Sequence, residues 1–205
     1  MKKRIIYFWN NELEDKREVL SQLNYTKNFS LKNKENIIVL PPIIYLDFIK
    51  QKYYGKKIFF GLSNYKHISS PIVLKNLKIK YAFFGFNYVL EIKKYIKNKI
   101  NLIFFIGGFE LDKDGLFFDK LEKQLKQLFI FLNKKNDLEI YLVFSNDNLE
   151  ILSDDLERIF IFIKKIVNDY FKSGSDKINI FYFIKSEQKL LIYKRIDSLD
   201  GIFLA

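Results

Sequence analysis

The chain has 205 residues, 49% of them hydrophobic, which is enough apolar material for one domain with a full core. It has no cysteine and one histidine, His67, and so excludes disulfides, thiolate metal sites, cysteine nucleophiles and any centre built on several histidines. Lys and Arg outnumber Asp and Glu by 35 to 24, a formal charge of +11 that suits nucleic acid, acidic lipid or an acidic protein as partner.

In chain order, the first apolar run, Arg4–Phe8, reads as a strand. It is followed by Leu13–Leu23, where Leu13, Val19, Leu20 and Leu23 recur among charges as on one side of a helix. A second strand is expected at Asn36–Leu40, and Pro41-Pro42 then opens a helix over Ile43–Tyr53. Lys57–Gly61, Tyr81–Gly85 and Leu102–Gly107 are three further strand-like runs. The next helix, Asp119–Leu132, repeats Leu121, Leu125, Leu128 and Leu132 at helical spacing, and a strand at Leu138–Phe144 follows. Ser153–Phe171 carries Leu156, Phe160, Ile163 and Val167 on one side of another helix. Lys177–Phe183 and Gly201–Leu204 complete eight strands.

Each strand is apolar at successive positions, the pattern of a parallel strand buried on both faces. Eight such strands alternating with helices predict a single α/β domain over residues 1–205, closed as a barrel. A doubly wound open sheet is the rival. It normally carries a Gly-rich first turn, where this chain has Phe8-Trp9-Asn10-Asn11-Glu12.

Six fragments carry a family likeness: Arg4-Ile5-Ile6-Tyr7-Phe8-Trp9-Asn10, Ile38-Val39-Leu40-Pro41-Pro42, Ser70-Pro71-Ile72-Val73-Leu74-Lys75-Asn76-Leu77, Tyr81-Ala82-Phe83-Phe84-Gly85, Leu102–Gly107 and Asp200-Gly201-Ile202-Phe203-Leu204. In order and spacing they resemble segments of the triosephosphate isomerase family, and the likeness runs from end to end. The third fragment, similar to the family's Ser-Pro-x-x-Leu-Lys-Asp-Leu, is the nearest match. The resemblance implies a shortened TIM (β/α)8 barrel with trimmed loops, its third loop cut to Leu62–Ser69. It also implies that the last helix is lacking, because Ala205 directly follows the eighth strand.

The family's reaction moves a proton beside a carbonyl. It needs a carboxylate base, a donor that polarises the oxygen, and a cation and backbone N–H groups for a phosphate. Position by position these do not carry over. The family's lysine falls on Asn10, its histidine on Phe86 and its base glutamate on Leu142, while its phosphate-gripping glycines fall on Phe183-Ile184-Lys185. Each such loss costs roughly 10²–10⁴ in rate. The expectation is therefore no isomerase activity, with no catalytic residue, cofactor or metal assigned. Phe8, Phe86, Phe144 and Phe183 are expected to fill the former pocket. A missing eighth helix would bare the seam between the first and last strands. Ile5, Tyr7, Ile202, Phe203 and Leu204 are accordingly expected to meet other subunits of a hetero-oligomer, and the short third loop argues against the family's homodimer.

The leading expectation is thus a pseudoenzyme acting as a structural or adaptor subunit of a protein assembly. It is expected to be cytoplasmic or peripheral to a membrane-associated assembly, with no transmembrane segment, because no apolar run reaches the ~18 residues of a span. The Met1-Lys2-Lys3-Arg4 start leads into too short an apolar run for a signal peptide. A second reading is nucleic-acid or acidic-surface binding through Lys50–Lys57 and Lys93–Lys99. Against it, the lysines are spread along the chain, and an AT-rich genome would raise Lys, Asn, Ile, Phe and Tyr together. A third is an enzyme with a relocated site, for which Glu110, Asp112 and Asp147 offer oxygen ligands for a metal and Gly107-Gly108 an anion nest. Solvated loop carboxylates and a strand-ending turn explain those residues equally well.

Overall fold

Strand-forming runs of β-branched and aromatic residues alternate with helices from one end of the chain to the other. A computed structural model describes residues 4–9, 15–33, 36–53, 58–62, 71–84, 92–108, 116–132, 138–145, 153–171, 177–184, 196 and 198–204. Its strands are β1 (Arg4–Phe8), β2 (Ile37–Leu40), β3 (Ile58–Leu62), β4 (Tyr81–Phe84), β5 (Asn101–Gly107), β6 (Ile140–Ser145), β7 (Ile178–Ile184) and β8 (Gly201–Leu204). All eight are parallel, pair in sequence order and close into a barrel, with Arg4 opposite Gly201 and Tyr7 opposite Leu204 across the β1–β8 seam. This is the (β/α)8 architecture that the alternation predicts.

Helices follow the first six strands: α1 (Lys16–Asn33), a 3-10 turn (Ile43–Tyr45) leading into α2 (Leu46–Lys52), α3 (Pro71–Asn76), α4 (Ile92–Lys97), α5 (Leu116–Phe131) and α6 (Ser153–Phe171). Among the described residues none lies between β7 and β8. Three helices, α1, α3 and α4, depart from the sequence reading. α1 starts at a cap, Asp15, whose carboxylate accepts the N–H groups of Arg17 and Glu18 at 2.6 and 3.0 Å. It then runs ten residues past Leu23, because its inner side continues through buried Thr26 and Ser30 rather than through aliphatic residues. Thr26 Oγ1 satisfies itself by donating to the Gln22 carbonyl.

α3 and α4 are six residues each, too short to show a period. They end in the same way. Ile79 N–H donates to Leu74 O and Lys78 N–H to Lys75 O; Ile100 N–H donates to Tyr95 O and Lys99 N–H to Ile96 O. These are two Schellman motifs with a lysine at the left-handed position, φ 54° at Lys78 and φ 58° at Lys99.

Successive side chains of each strand point alternately into the barrel and out to the helices. Ile6, Ile38, Leu40, Tyr81, Ile103, Tyr141, Val143, Phe181 and Phe203 form the buried filling of the barrel. The outer layer binds β4–β8 to α5 and α6 through residues such as Phe104, Leu142, Phe144, Leu125 and Phe160. A smaller cluster joins β1–β3 to α1 and α2 around Trp9, Val19, Leu23 and Ile49.

Gly61 marks where this filling is tightest. A Cβ there would lie 2.4 Å from Leu40 Cδ2 and 2.9 Å from Tyr81 Cβ. The leucine tip can move, but the tyrosine Cβ is tied to its strand. Gly61→Ala is expected to destabilise by about 1–3 kcal/mol in urea unfolding. Lys78→Gly, by contrast, is expected to stabilise by about 0.5–1 kcal/mol, because glycine accepts the positive φ that lysine resists.

Candidate functional site

In parallel barrels the chemistry sits where the strands end, because the loops after each strand converge there. In five of the eight strands the inward residues nearest those ends are rings. Phe8 of β1, Phe83 of β4, Phe105 of β5 and Phe183 of β7 surround Phe203 of β8, which is fully buried. Phe203 meets the other four at 6.0, 5.6, 5.2 and 5.7 Å between centroids. Phe83 and Phe105 close further, to 4.7 Å edge to face, the geometry favoured by ring quadrupoles. Beneath lie Tyr81, Tyr141 and Phe181, again edge to face at 5.9 and 5.4 Å. Tyr141 sends its hydroxyl to Glu139 at the opposite end of the barrel. Such a mouth can bury apolar surface. Among the described residues, the inward side chains of β1, β4, β5, β7 and β8 at the mouth are all apolar.

The residues singled out from sequence fall as follows. Phe8 and Phe183 do point into the mouth and are brought together on Phe203. Phe144 does not. It lies on the outer side of β6, packed against Phe117 of α5 and Phe160 of α6 at 6.2 and 5.9 Å. Leu142 shares that side and is wholly buried against the helices; the β6 residues that share the inner side with Tyr141 are Val143 and Ser145. Asn10, Phe86, His67, Glu110, Asp112 and Asp147 lie outside the described residues. Among the described residues no three metal-ligating side chains come together.

The expected seam interface needs correction. Ile5, Ile202, Phe203 and Leu204 are all buried by the chain's own residues, between 1% and 5% exposed, and Tyr7 is half-buried beside Tyr25 of α1. Phe203 points inward. Ile202 and Leu204 join a cluster with Ile196 and Leu199, the segment that leads into β8. Asp200 fastens that segment to β7: its N–H donates to Ile180 O, and its carboxylate accepts the Ile180 N–H at 2.7 Å. The anion nest at Gly107-Gly108 is also ruled out, since both N–H groups are spent, on Gln124 Oε1 at 2.8 Å and on Ser145 O at 2.9 Å.

Phe83, Phe105 and Phe203 are the mouth residues that the sequence reading missed. Their signal is the alternation within β4, β5 and β8, masked because both sides of each strand are apolar. On the rim, an open recess of about 460 Å³ is lined by Asp15, Lys16, Arg17 and Tyr45. Its carboxylate is already engaged. The Glu18 N–H and then the Arg17 N–H hold the Asp15 carboxyl below its ordinary value.

No protein-family model matches this chain, and no curated protein does either. No helix among the described residues is long and apolar enough to cross a membrane. What bears on function is the filling of the mouth and the charge on the surface.

Removing the central ring, Phe203→Ala, is expected to cost about 3–5 kcal/mol in chemical denaturation. Asp15→Ala is expected to lower the thermal midpoint at neutral pH. The wild-type carboxylate contributes stability above its ordinary value of 3.8 and loses it as pH falls through its lowered folded value. The gap between the two proteins should therefore close in acid.

Proposed function

We propose that this chain is a catalytically inactive relative of triosephosphate isomerase, retained as a structural or adaptor subunit of a protein assembly. The observation that carries the proposal is the aromatic plug. Five phenylalanines occupy the place where a barrel enzyme of this kind keeps its base, its electrophile and the space for its substrate. The family relationship rests on the sequence fragments, and the barrel topology agrees with it. The adaptor role fits a barrel that keeps its scaffold while filling its mouth with rings. Its contacts are expected away from the β1–β8 seam, on surfaces other than Ile5, Ile202 and Leu204, because the chain covers those itself.

Purified protein is expected to interconvert triose phosphates no faster than buffer, and Phe83→Ala/Phe105→Ala, which widens the mouth, is expected to gain no rate. Turnover above background in the wild-type protein would sink the inactive-barrel reading. For the adaptor role, protein isolated at native abundance should migrate in a complex well above its own 24.7 kDa with partners in fixed stoichiometry. A monomer under those conditions would count against it.

A further inference from the structure

We infer that the end of the barrel opposite the mouth carries a docking surface for an anionic phospholipid membrane, centred on the C-terminal ends of α2, α3 and α4. These three helices are consecutive on the barrel wall, and each ends where the next strand begins. α2 ends on Lys52, α3 carries Lys75 in its last turn with Lys78 and Lys80 following, and α4 ends on Lys97 with Lys99 following; all six are exposed. The turns after α3 and α4 touch, since Asn101 N–H donates to the Lys80 carbonyl at 2.8 Å. Lys50 lies in the same field. Burial holds its ammonium below the usual lysine range, with Asp47 opposing and the like charge of Lys78 adding to the effect. Asp47, in the first turn of α2, is the one acidic residue among the described residues from 36 to 108, and Glu139, beside Asn101 at the patch end, engages the Tyr141 hydroxyl.

Helix dipoles account for only part of this. A lysine in a last turn complements the negative end of its helix. Helices of six or seven residues offer little dipole, however, and Lys78, Lys80 and Lys99 lie beyond the helices altogether. Lys78 and Lys99 also occupy the left-handed region, where glycine or asparagine fits with less strain. Asparagine is abundant in this chain, yet both positions hold lysine. Strain is kept at the two places where it adds a charge to the patch.

The chemistry of the patch selects its occupant. No arginine lies between Arg17 and Arg158, so the planar fork that reads base edges or clamps a single phosphate is missing. The two tyrosines described among these lysines are turned away. Tyr95 is buried on Phe84 at 4.8 Å, and Tyr53 packs on Phe60 at 5.8 Å while its hydroxyl accepts the Ile58 N–H. Neither ring is left to stack on a base. Protein interface cores are depleted in lysine. What remains is a field of flexible point charges, suited to a diffuse sheet of headgroups, with about fivefold in partitioning for each lysine near the surface. The inference is independent of the inactive-barrel proposal, because no mouth residue takes part.

The test is co-sedimentation of the full chain with vesicles of phosphatidylcholine containing about 30% phosphatidylserine. Binding is expected at about 50 mM salt and should be lost at about 500 mM, where charges are screened within a few ångströms. K78N/K99N keeps residues that tolerate the left-handed backbone and should weaken binding about 25-fold. K52Q/K97Q, which leaves both turns untouched, should do the same. K120Q/K123Q removes equal charge from the mouth end of α5 and should leave binding unchanged. Equal binding to pure phosphatidylcholine, no binding to the acidic vesicles, or an equal loss in K120Q/K123Q would overturn the inference. Tighter binding to a duplex oligonucleotide than to acidic vesicles at the same salt would overturn it in favour of nucleic acid.

Discussion

Closing eight strands into a ring creates an interior that has to be filled, since protein cores tolerate few voids and a parallel barrel has no other way to satisfy its inner faces. This chain fills the ring with aromatic side chains. Tyr81, Tyr141 and Phe181 occupy the middle, and Phe8, Phe83, Phe105, Phe183 and Phe203 the top. Gly61 gives up its side chain where Leu40 and Tyr81 converge. The rest of the molecule follows from that filling. Rings in contact with one another reach the ends of β1, β4, β5, β7 and β8, so that the described part of the mouth continues the core.

The outer layer repeats the solution on the flank built from β5–β7, α5 and α6. Phe117, Phe144, Phe160 and Tyr182 interlock there, with Phe144 lying between the helices and the sheet. The β8 edge is secured differently. The described residues just before β8 pack on the sheet. Asp200 is bonded to Ile180 through both its backbone and its side chain, and Ile196 and Leu199 lie in the core. A seam that the sequence suggested was open is thus closed from within the chain.

Charge is arranged along the barrel axis. Helices begin at the mouth, where Asp15, Asp47 and Asp119 complement positive ends, and α1–α4 finish at the far end with lysine in their last turns. Around α2–α4 the imbalance far exceeds what the dipoles require. The described strand ends at the mouth thus carry rings, while the opposite end carries the exposed lysines of α2–α4. Any function that uses a surface rather than a cleft has its clearest physical basis there.

The sequence by itself determined the number and order of the strands, the positions of α5 and α6, and the exclusion of cysteine chemistry and of any centre built on several histidines. These are local properties: an apolar run or a helical repeat is legible wherever it stands. It also marked Phe8 and Phe183 as mouth residues. Only the tertiary structure decided which side of each strand faces inward. It moved Phe203 from an expected interface to the centre of the plug, and Phe144 and Leu142 from the mouth to the helix layer. Strands apolar on both sides carry no polar alternation from which direction could be read. The structure likewise gathered lysines that look scattered in sequence, because ring closure sets helix ends some twenty residues apart side by side, and no window along the chain records that neighbourhood.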